Sequence, residues 1–361
     1  MARFGICIYP EHSNLEEIKN YIKKSANVGC KRIFSCLLSV EESREKIVSE
    51  FKDWILYAHE FGIEVIIDVA PFVFDRLNIS YNDLSFFNEI GADGIRLDEG
   101  FNGITEANMT YNPYNIKIEI NASTGLKYIE NILSYYPKKE NIITCHNFYP
   151  QRYTGLSYKH FEKCSKFIKN LNFKVAAFVT SQNKNSFGPW NLKEGLCTLE
   201  EHRDLPLDVQ IRHLFATGFV DDVIIANCYA TDEELNILSK IDPYIITLKL
   251  NKEYDFTETE YNIIYNYNHI SRGDLSEYMI RSSQPRIDFK DKSIKPQNTR
   301  DLKRGDIVIL NDNYDRYKGE LHIVLKDMIN EGNKNVVGNI PENELMLINY
   351  IDAWQPFKFM K

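Results

Sequence analysis

The chain has 361 residues, of which 43% are hydrophobic and 13% aromatic, and its formal net charge is -8. This composition is ample for a packed core and excludes a wholly disordered chain. The acidic balance argues against a nucleic-acid partner, because phosphate backbones bind basic surfaces. No stretch approaches the roughly 18 continuous apolar residues that a membrane span needs, so we expect no membrane contact.

The cysteines and the first residues of the chain bear on its location. The seven cysteines are scattered, without a C-x-x-C pair. An odd number at irregular spacing is typical of reduced thiols, and not of a disulfide framework or a zinc site. The opening stretch "MARFGICIYPEHSN" has neither a charged leader nor a long apolar segment. We therefore expect a cytoplasmic protein.

Short apolar runs rich in β-branched residues alternate with helix-like stretches through the first 230 residues. The runs predict strands at residues 3–9, 32–38, 64–70, 93–98, 116–121, 141–147, 175–181 and 222–227. Amphipathic spacing predicts helices at 14–28, 41–61, 82–90, 124–135, 157–171, 207–217 and 231–240. Alternating strands and helices imply parallel pairing through right-handed crossovers. Eight such units in about 240 residues predict a (β/α)8 TIM barrel.

The competing fold is an open, doubly wound parallel sheet. Such sheets carry a G-x-G-x-x-G turn after the first strand when they bind dinucleotides. Here the first strand runs into Tyr9, Pro10, Glu11 and His12 instead. The barrel is therefore the preferred fold for the first part of the chain.

The pattern changes after about residue 243, where short strands follow one another with little helix between them. The runs are "IITLKLN", "YMIRSSQ", "DIVILND", "ELHIVLK" and "NVVGNI". They predict a small all-β barrel. We place the boundary near Pro243, because a helix should stop before a proline, which gives predicted domains at 1–243 and 244–361.

Acidic residues gather where the predicted barrel strands end. The carboxyl ends of the strands hold the active site of a parallel barrel. Candidate catalytic carboxylates there are Asp68, Asp98, Glu99 and Glu119. Crowded carboxylates push their pKa values apart, and glycoside hydrolysis needs one protonated and one ionised carboxyl group. The pattern therefore indicates acid/base chemistry on a sugar.

Two other interpretations of these residues stay open. Arg96 could neutralise Glu119 or Asp98 in a buried ion pair that only stabilises the barrel. Alternatively, His146 could bind a metal with Asp68, Asp98 and Glu119, as in sugar isomerases, although no close-spaced pair such as H-x-x-x-H supports it.

Further polar and aromatic residues are candidates for substrate binding. Those near the strand ends are Glu11, Asn121, His146, Asn147 and Trp190. In the second domain, the stretch "YMIRSSQPR" (278–286) supplies Arg281, Ser282 and Arg286. Two arginines with a hydroxyl can form a cradle for phosphate or carboxylate, whereas a solvated edge strand is the alternative.

Seven motifs resemble those of one known family. They are "GICIYPEHS" (5–13), "GIRLDEGF" (94–101), "IEINAS" (118–123), "HNFYPQRYTGLS" (146–157), "GLCTLEEHR" (195–203), "IRSSQPR" (280–286) and "YKGELHIV" (317–324). In this order they are similar to the 6-phospho-N-acetylmuramidase family (MupG type). The resemblance implies a TIM barrel joined to a C-terminal cyclophilin-like β-barrel.

The resemblance also implies an activity. The family hydrolyses the β-1,4 bond between N-acetylmuramic acid 6-phosphate and N-acetylglucosamine in peptidoglycan recycling, with no cofactor and no metal implied. The expected partner is this phosphorylated amino-sugar disaccharide, and a homo-oligomer is compatible with the sequence. Because the substrate carries two anions, cations are needed. The candidates are Arg152, Arg203, Arg281 and Arg286.

On strand positions alone, we expect Glu119 to be the proton donor and Asp98 the partner carboxylate. The adjacent pair Asp98 and Glu99 also permits a substrate-assisted route through the 2-acetamido oxygen. Two further function classes stay open: a metal-dependent phosphosugar isomerase or epimerase, and a non-catalytic carbohydrate-binding protein.

Overall fold

The computed structural model describes residues 2–38, 43–125, 127–191 and 193–361. The chain divides into two compact units, Met1–Lys240 and Ile241–Lys361. Within the described residues, no helix combines the length and the apolar character that crossing a membrane requires. All seven cysteines lie in the described ranges, and each is buried and free.

Eight parallel strands close into a barrel in the first unit. They are β1 (Arg3–Ile8), β2 (Cys30–Cys36), β3 (Glu64–Val69), β4 (Gly94–Leu97), β5 (Lys117–Asn121), β6 (Ile142–Cys145), β7 (Val175–Val179) and β8 (Asp222–Ile225). Each strand pairs with the next in the chain, and β8 closes the barrel on β1. The predicted TIM barrel is confirmed, and the open sheet is wrong.

Helices follow the strands of this unit. They are α1 (Leu15–Asn27), α2 (Arg44–Glu60), α3 (Pro71–Arg76), α4 (Ser85–Glu89), α5 (Ile104–Met109), α6 (Lys127–Leu133), α7 (Tyr158–Asn170), α8 (Leu207–Ala216) and α9 (Asp232–Leu238). The predicted helices 41–61 and 124–135 include residues 41, 42 and 126, which lie outside the described residues. Helices α3 and α5 were not predicted, because six residues are too few to show an amphipathic period.

Local capping explains where some of these helices begin. Asn14 accepts a hydrogen bond from the backbone N–H of Glu17, and the Glu17 carboxylate accepts one from the backbone of Asn14 (3.0 and 3.1 Å). This capping box satisfies two helix donors and begins α1. At α5 the Glu106 carboxylate accepts the backbone N–H of Gly103, whose φ of 88° favours glycine.

Polar side chains on the strands point into the barrel. Arg32 on β2 donates to Glu119 on β5, and these strands are not neighbours, so the two side chains meet inside the barrel. Ile118 and Ile120 flank Glu119 and are buried, and by alternation they face the helices. The predicted alternation of this strand is therefore confirmed.

An ion-pair cluster lies toward the amino ends of the strands. Arg32 contacts Glu119 and also donates to Asp222, the first residue of β8, at 2.9 Å. Arg3 donates to the other oxygen of Asp222 at 2.8 Å. The possible pairing of Glu119 with Arg96 is therefore wrong, because Arg32 is the cation that contacts Glu119.

The second unit contains two sheets of short strands. They are β9 (Ile246–Leu248), β10 (Asn251–Lys252), β11 (His269–Ile270), β12 (Met279–Ser282), β13 (Asp306–Leu310), β14 (Leu321–Val324), β15 (Lys334–Asn339) and β16 (Pro356–Phe359), with helices α10 (Glu258–Tyr265) and α11 (Pro285–Asp288). One sheet has the order β10-β15-β13-β14-β12, and the other β11-β16-β9. The unit is not purely β, since Thr257 and Glu260 form a capping box that begins α10.

The buried cluster around Arg32 gives a prediction about stability. Replacing Arg32 with Met should lower the free energy of unfolding by about 3–5 kcal/mol, because Glu119 would lose the cation that it contacts. Urea denaturation measures the loss. The double variant Arg32→Met/Glu119→Gln removes both charges and should recover most of the stability. A double variant as unstable as the single one would contradict the pairing.

Candidate active site

Arg96 on β4 connects three polar residues at the carboxyl end of the barrel. Its Nη1 donates to Oδ1 of Asp68 on β3 at 2.7 Å and to Oδ1 of Asp98 at 2.8 Å. Its Nη2 donates to Oδ1 of Asn147, which follows β6. Asp68 and Arg96 are buried, whereas the side chain of Asp98 is 38% exposed. The arrangement thus has one buried and one accessible carboxylate.

The two carboxylates are close together because they share one nitrogen. With 2.7 Å on one side of Nη1 and 2.8 Å on the other, their bonded oxygens cannot be farther apart than about 5.5 Å. Retaining glycosidases hold their two carboxyl groups about 5–5.5 Å apart, and inverting enzymes hold them roughly 6.5–9.5 Å apart. The nearest oxygens of Asp68 and Asp98 therefore lie no farther apart than the shorter spacing and closer than the longer one.

The environment of Asp68 favours its protonated form. Burial raises the pKa of Asp68 to about 7 and outweighs the opposing effect of the Arg96 guanidinium. Nearby Asp98 and Glu119 also raise this pKa through charge repulsion. Asp68 can therefore carry a proton near neutral pH, as a catalytic acid must.

His146 is connected to the site through the hydroxyl of Ser123. Its Nε2 is 2.9 Å from Oγ of Ser165, and its Nδ1 is 3.2 Å from Oγ of Ser123. Ser123 in turn accepts the backbone N–H of Asn147 at 2.9 Å. Burial lowers the pKa of His146 to about 3, so the ring is neutral. His146 was predicted to contact substrate, but both ring nitrogens contact serine hydroxyls and the residue has no exposed surface.

Among the described residues, the other acidic residues predicted for the site do not contact Arg96. Glu119 is completely buried and contacts Arg32, so its carboxylate does not reach solvent. Glu99 and Glu11 are exposed residues beyond the ends of β4 and β1. Asn121, at the end of β5, is 7% exposed and accepts the backbone N–H of Ser123 at 2.8 Å. Arg96 therefore gathers Asp68, Asp98 and Asn147, whereas Glu119 belongs to the amino-end cluster.

Aromatic side chains stand near the same end of the barrel. The ring of Trp190 is 43% exposed, and its centroid lies 6.1 Å from that of Phe148. Phe148 packs edge-on against Phe34 and Phe178 of the barrel core. Trp190 is thus an exposed ring that packs on Phe148, and such a ring can pack against the face of a sugar.

A cavity of about 160 Å³ lies at the loops that follow β7 and β8. Arg152 lines it and forms two hydrogen bonds with Asp204 at 2.6 and 2.9 Å. Arg203 also lines it, but its guanidinium donates to Glu200 and to the backbone carbonyls of Tyr149, Gln151, Glu194 and Gly195. Arg203 was predicted to bind an anion. In the structure its guanidinium donates hydrogen bonds to residues of the surrounding loops instead.

Two lysines of this cavity were missed in the sequence analysis. Lys184 and Lys193 line the cavity, are exposed, and form no ion pair with any other residue that the structure describes. Ser181 and Asn227 complete its polar side, with Asn227 donating to the Ser181 carbonyl at 3.0 Å. The signal was present, since Lys184 and Lys193 fall in the polar loop after the seventh strand.

The three residues predicted as an anion cradle lie in the second unit. Arg281 is paired with Asp274 (3.0 Å), and Arg286 with Glu320 (2.6 Å). Ser282 is buried and hydrogen-bonded to Nδ1 of His269 at 2.9 Å. Arg281 and Arg286 line a cavity of this unit, and Ser282 is not among the described residues that line it. Their assignment to the substrate stays a prediction.

The metal alternative can be compared with the side-chain geometry. Among the described residues, the group with metal-ligand spacing is Glu201, His202 and His213. His202 and His213 are hydrogen-bonded to each other at 2.8 Å. The predicted ligand set around His146 is not such a group, because serine hydroxyls occupy both of its ring nitrogens.

A buried carboxyl group of raised pKa beside a more exposed carboxylate, at the carboxyl end of a (β/α)8 barrel, is typical of a glycosidase. The comparison with protein families agrees. The N-terminal model of 6-phospho-N-acetylmuramidase matches residues 4–240, and the C-terminal model matches residues 246–360. The chain belongs to the 6-phospho-N-acetylmuramidase family and is therefore a glycosidase, which confirms the resemblance found in the sequence.

Two solved structures are similar over the whole chain. An uncharacterized B. cereus protein is 47% identical, with 100% of this chain and 99% of that chain covered and a TM-score of 0.93. A conserved Enterococcus faecalis protein of unknown function is 23% identical, with 100% and 96% covered and a TM-score of 0.75, which supports the fold alone. Comparison with curated proteins gives no significant match.

Proposed function

We propose that the protein hydrolyses the β-1,4 bond between N-acetylmuramic acid 6-phosphate and N-acetylglucosamine in peptidoglycan recycling. The observation that carries this proposal is the carboxylate pair on Arg96, in which burial raises the pKa of Asp68 to about 7. Membership of the family supports a phosphorylated amino-sugar substrate. We place the reaction in the cytoplasm, with which seven free cysteines agree.

Asp68 is the proposed general acid. As the glycosidic bond breaks, its proton passes to the oxygen of the leaving N-acetylglucosamine, which departs as a neutral alcohol. The resulting Asp68 carboxylate then takes a proton from the water that completes hydrolysis. This role replaces the one expected of Glu119, whose carboxylate is buried against Arg32.

Asp98 is the proposed partner carboxylate. Its partly exposed carboxylate attacks the anomeric carbon, or else orients the 2-acetamido oxygen of the substrate for the same attack. In the second route Glu99 is available next to Asp98. Arg96 is a positioning residue in both, because its Nη1 holds the two carboxylates at a short spacing.

The cavity after β7 and β8 is the proposed site for the 6-phosphate. In TIM barrels the loops after the seventh and eighth strands often bind phosphate. Lys184 and Lys193 supply positive charge there without a paired carboxylate among the described residues. A site built for a dianion discriminates against the unphosphorylated sugar, because its cations would then lack a partner.

The acid role of Asp68 can be tested with leaving groups. Asp68→Asn should lower kcat/KM for the natural disaccharide by about 10²–10⁴, and far less for a 4-nitrophenyl glycoside of the same phosphosugar, whose leaving group needs no proton. Since the acid must be protonated, wild-type kcat/KM should fall as the pH rises through about 7, the raised pKa of Asp68. Asp75→Asn, an exposed carboxylate on α3, is the matched control. Equal losses on both substrates would exclude Asp68 as the acid.

The short carboxylate spacing predicts the stereochemistry. Both proposed routes for Asp98 consist of two successive displacements at the anomeric carbon. Each displacement inverts the configuration, so the net result is retention. Proton NMR early in the reaction should therefore show the β anomer of N-acetylmuramic acid 6-phosphate before mutarotation. If the α anomer appeared first, the prediction would be wrong. Asp68 and Asp98 would then have to be farther apart, with room for the attacking water molecule.

The phosphate cavity predicts a change in selectivity. Lys184→Gln/Lys193→Gln should reduce kcat/KM for the phosphorylated disaccharide about tenfold or more, and leave the slow cleavage of the unphosphorylated disaccharide unchanged. Competition between the two substrates, with product masses measured, gives the ratio. Lys163→Gln/Lys166→Gln on α7 removes equal charge from an exposed surface and is the control. An unchanged ratio would place the phosphate elsewhere.

A further inference from the structure

The second unit has a cavity of its own, of about 780 Å³. It lies on one face of the five-stranded sheet, where Arg281 on β12 is paired in register with His322 on β14, and Leu310 on β13 with Lys334 on β15. Ligand sites of small molecules commonly measure about 300–1,000 Å³. All described residues that line this cavity belong to the second unit.

Positive charge dominates the cavity. Five basic side chains line it, against one carboxylate, Glu320, among its described lining residues. The basic residues are Arg272, Arg281, Arg286, Arg316 and Lys334. The chain as a whole is acidic, so this concentration of cations is local. A cleft of one charge sign attracts a ligand of the opposite sign, here an anion.

A buried pair fixes the floor of the cavity. Glu320 and His322 are 4% and 6% exposed, and Nε2 of His322 lies 2.9 Å from Oε2 of Glu320. Arg286 donates from Nη1 to the other oxygen, Oε1, at 2.6 Å. Within the described residues, the guanidinium of Arg286 makes no other hydrogen bond. Its position is therefore set while most of its donors stay available to a ligand.

The cations at the rim are less constrained. Arg281 donates from Nη2 to the backbone carbonyl of Asp274 at 2.8 Å and contacts its carboxylate. Arg316 is exposed, and it forms neither a hydrogen bond nor an ion pair with any residue in the described part of the chain. Arg316 can therefore turn toward an anion without breaking an existing contact.

Aromatic rings accompany these charges. Tyr278, Tyr314 and Tyr317 line the cavity. The Arg286 guanidinium lies 5.5 Å from the ring centre of Tyr317, and Nζ of Lys334 lies 5.2 Å from that of Tyr314. Tyrosine rings pack against the apolar faces of sugar rings, and arginines bind phosphate oxygens in pairs. A free inorganic anion would bind the basic residues but would make no contact with the tyrosine rings.

We propose that this cavity is a second ligand site and that it binds a phosphorylated sugar. The phosphate lies among Arg281, Arg286 and Arg316, and the sugar ring lies against the tyrosines. The site is built from residues of the second unit, whereas Asp68 and Asp98 belong to the first. The proposal does not depend on the proposed reaction.

Calorimetric titration of the full chain with glucose 6-phosphate tests the proposal. The background is Lys184→Gln/Lys193→Gln, which removes the lysines of the barrel cavity. We expect saturable binding in this background, weakened about tenfold or more by Arg281→Gln/Arg316→Gln. The control Lys290→Gln/Lys292→Gln removes two charges from exposed positions of the same unit outside the cavity and should leave the affinity unchanged. Glucose should not bind.

Three results would overturn the second site. Binding that disappears with Lys184→Gln/Lys193→Gln alone would overturn the second site and leave the proposed reaction intact. Equal affinity in the cavity variant and its control would also overturn it, as would glucose binding as tightly as its phosphate. If the double variant does not fold, Arg316→Gln alone serves, because Arg316 is exposed. Titration with N-acetylmuramic acid 6-phosphate shows whether this product of the proposed reaction binds more tightly than glucose 6-phosphate.

Discussion

The contact of one Arg96 nitrogen with two carboxylates is the constraint on which the candidate site depends. A carboxylate as buried as Asp68 is costly to ionise, and a neighbouring guanidinium lowers that cost. Here burial exceeds the effect of Arg96, so the pKa of Asp68 rises to about 7 instead of falling. Asp98 shares the same cation but has access to solvent. One arginine thus holds two chemically equal groups in unequal environments, which acid/base catalysis requires.

Strand periodicity predicted the barrel and its polar interior, because a two-residue alternation decides which side chains point inward. It could not predict which charges meet. Arg96 and Glu119 are register partners on neighbouring strands, yet Arg96 reaches Asp68 and Asp98 while Glu119 reaches Arg32. Strands in a barrel are staggered and tilted, so a long side chain can contact a residue above or below its register partner along the barrel axis. Arg32 sits near the start of its strand, and its role was invisible in the sequence.

Residue type alone could not show which loop residues have partners within the protein. His146 and Arg203 have the chemistry of ligand-binding groups, but internal partners use their hydrogen-bonding atoms. A buried polar group must find such partners, and nothing local in the sequence reveals whether the partner is the protein or a ligand. Lys184 and Lys193 show the opposite case, since their loop was recognised as lying at the strand ends while the lysines themselves were passed over.

The protonated state of Asp68 also suits the charge of the proposed substrate. A sugar that carries a phosphate and a carboxylate would be repelled by two ionised carboxylates at a single site. A proton on Asp68 removes one negative charge from the pair, and Arg96 donates a hydrogen bond to the other carboxylate, Asp98. The exposed lysines of the cavity after β7 and β8 are the cations proposed to attract the phosphate. The proton proposed for catalysis would therefore also lower the electrostatic cost of binding an anionic sugar, so the proposed reaction and the proposed substrate both require a protonated Asp68.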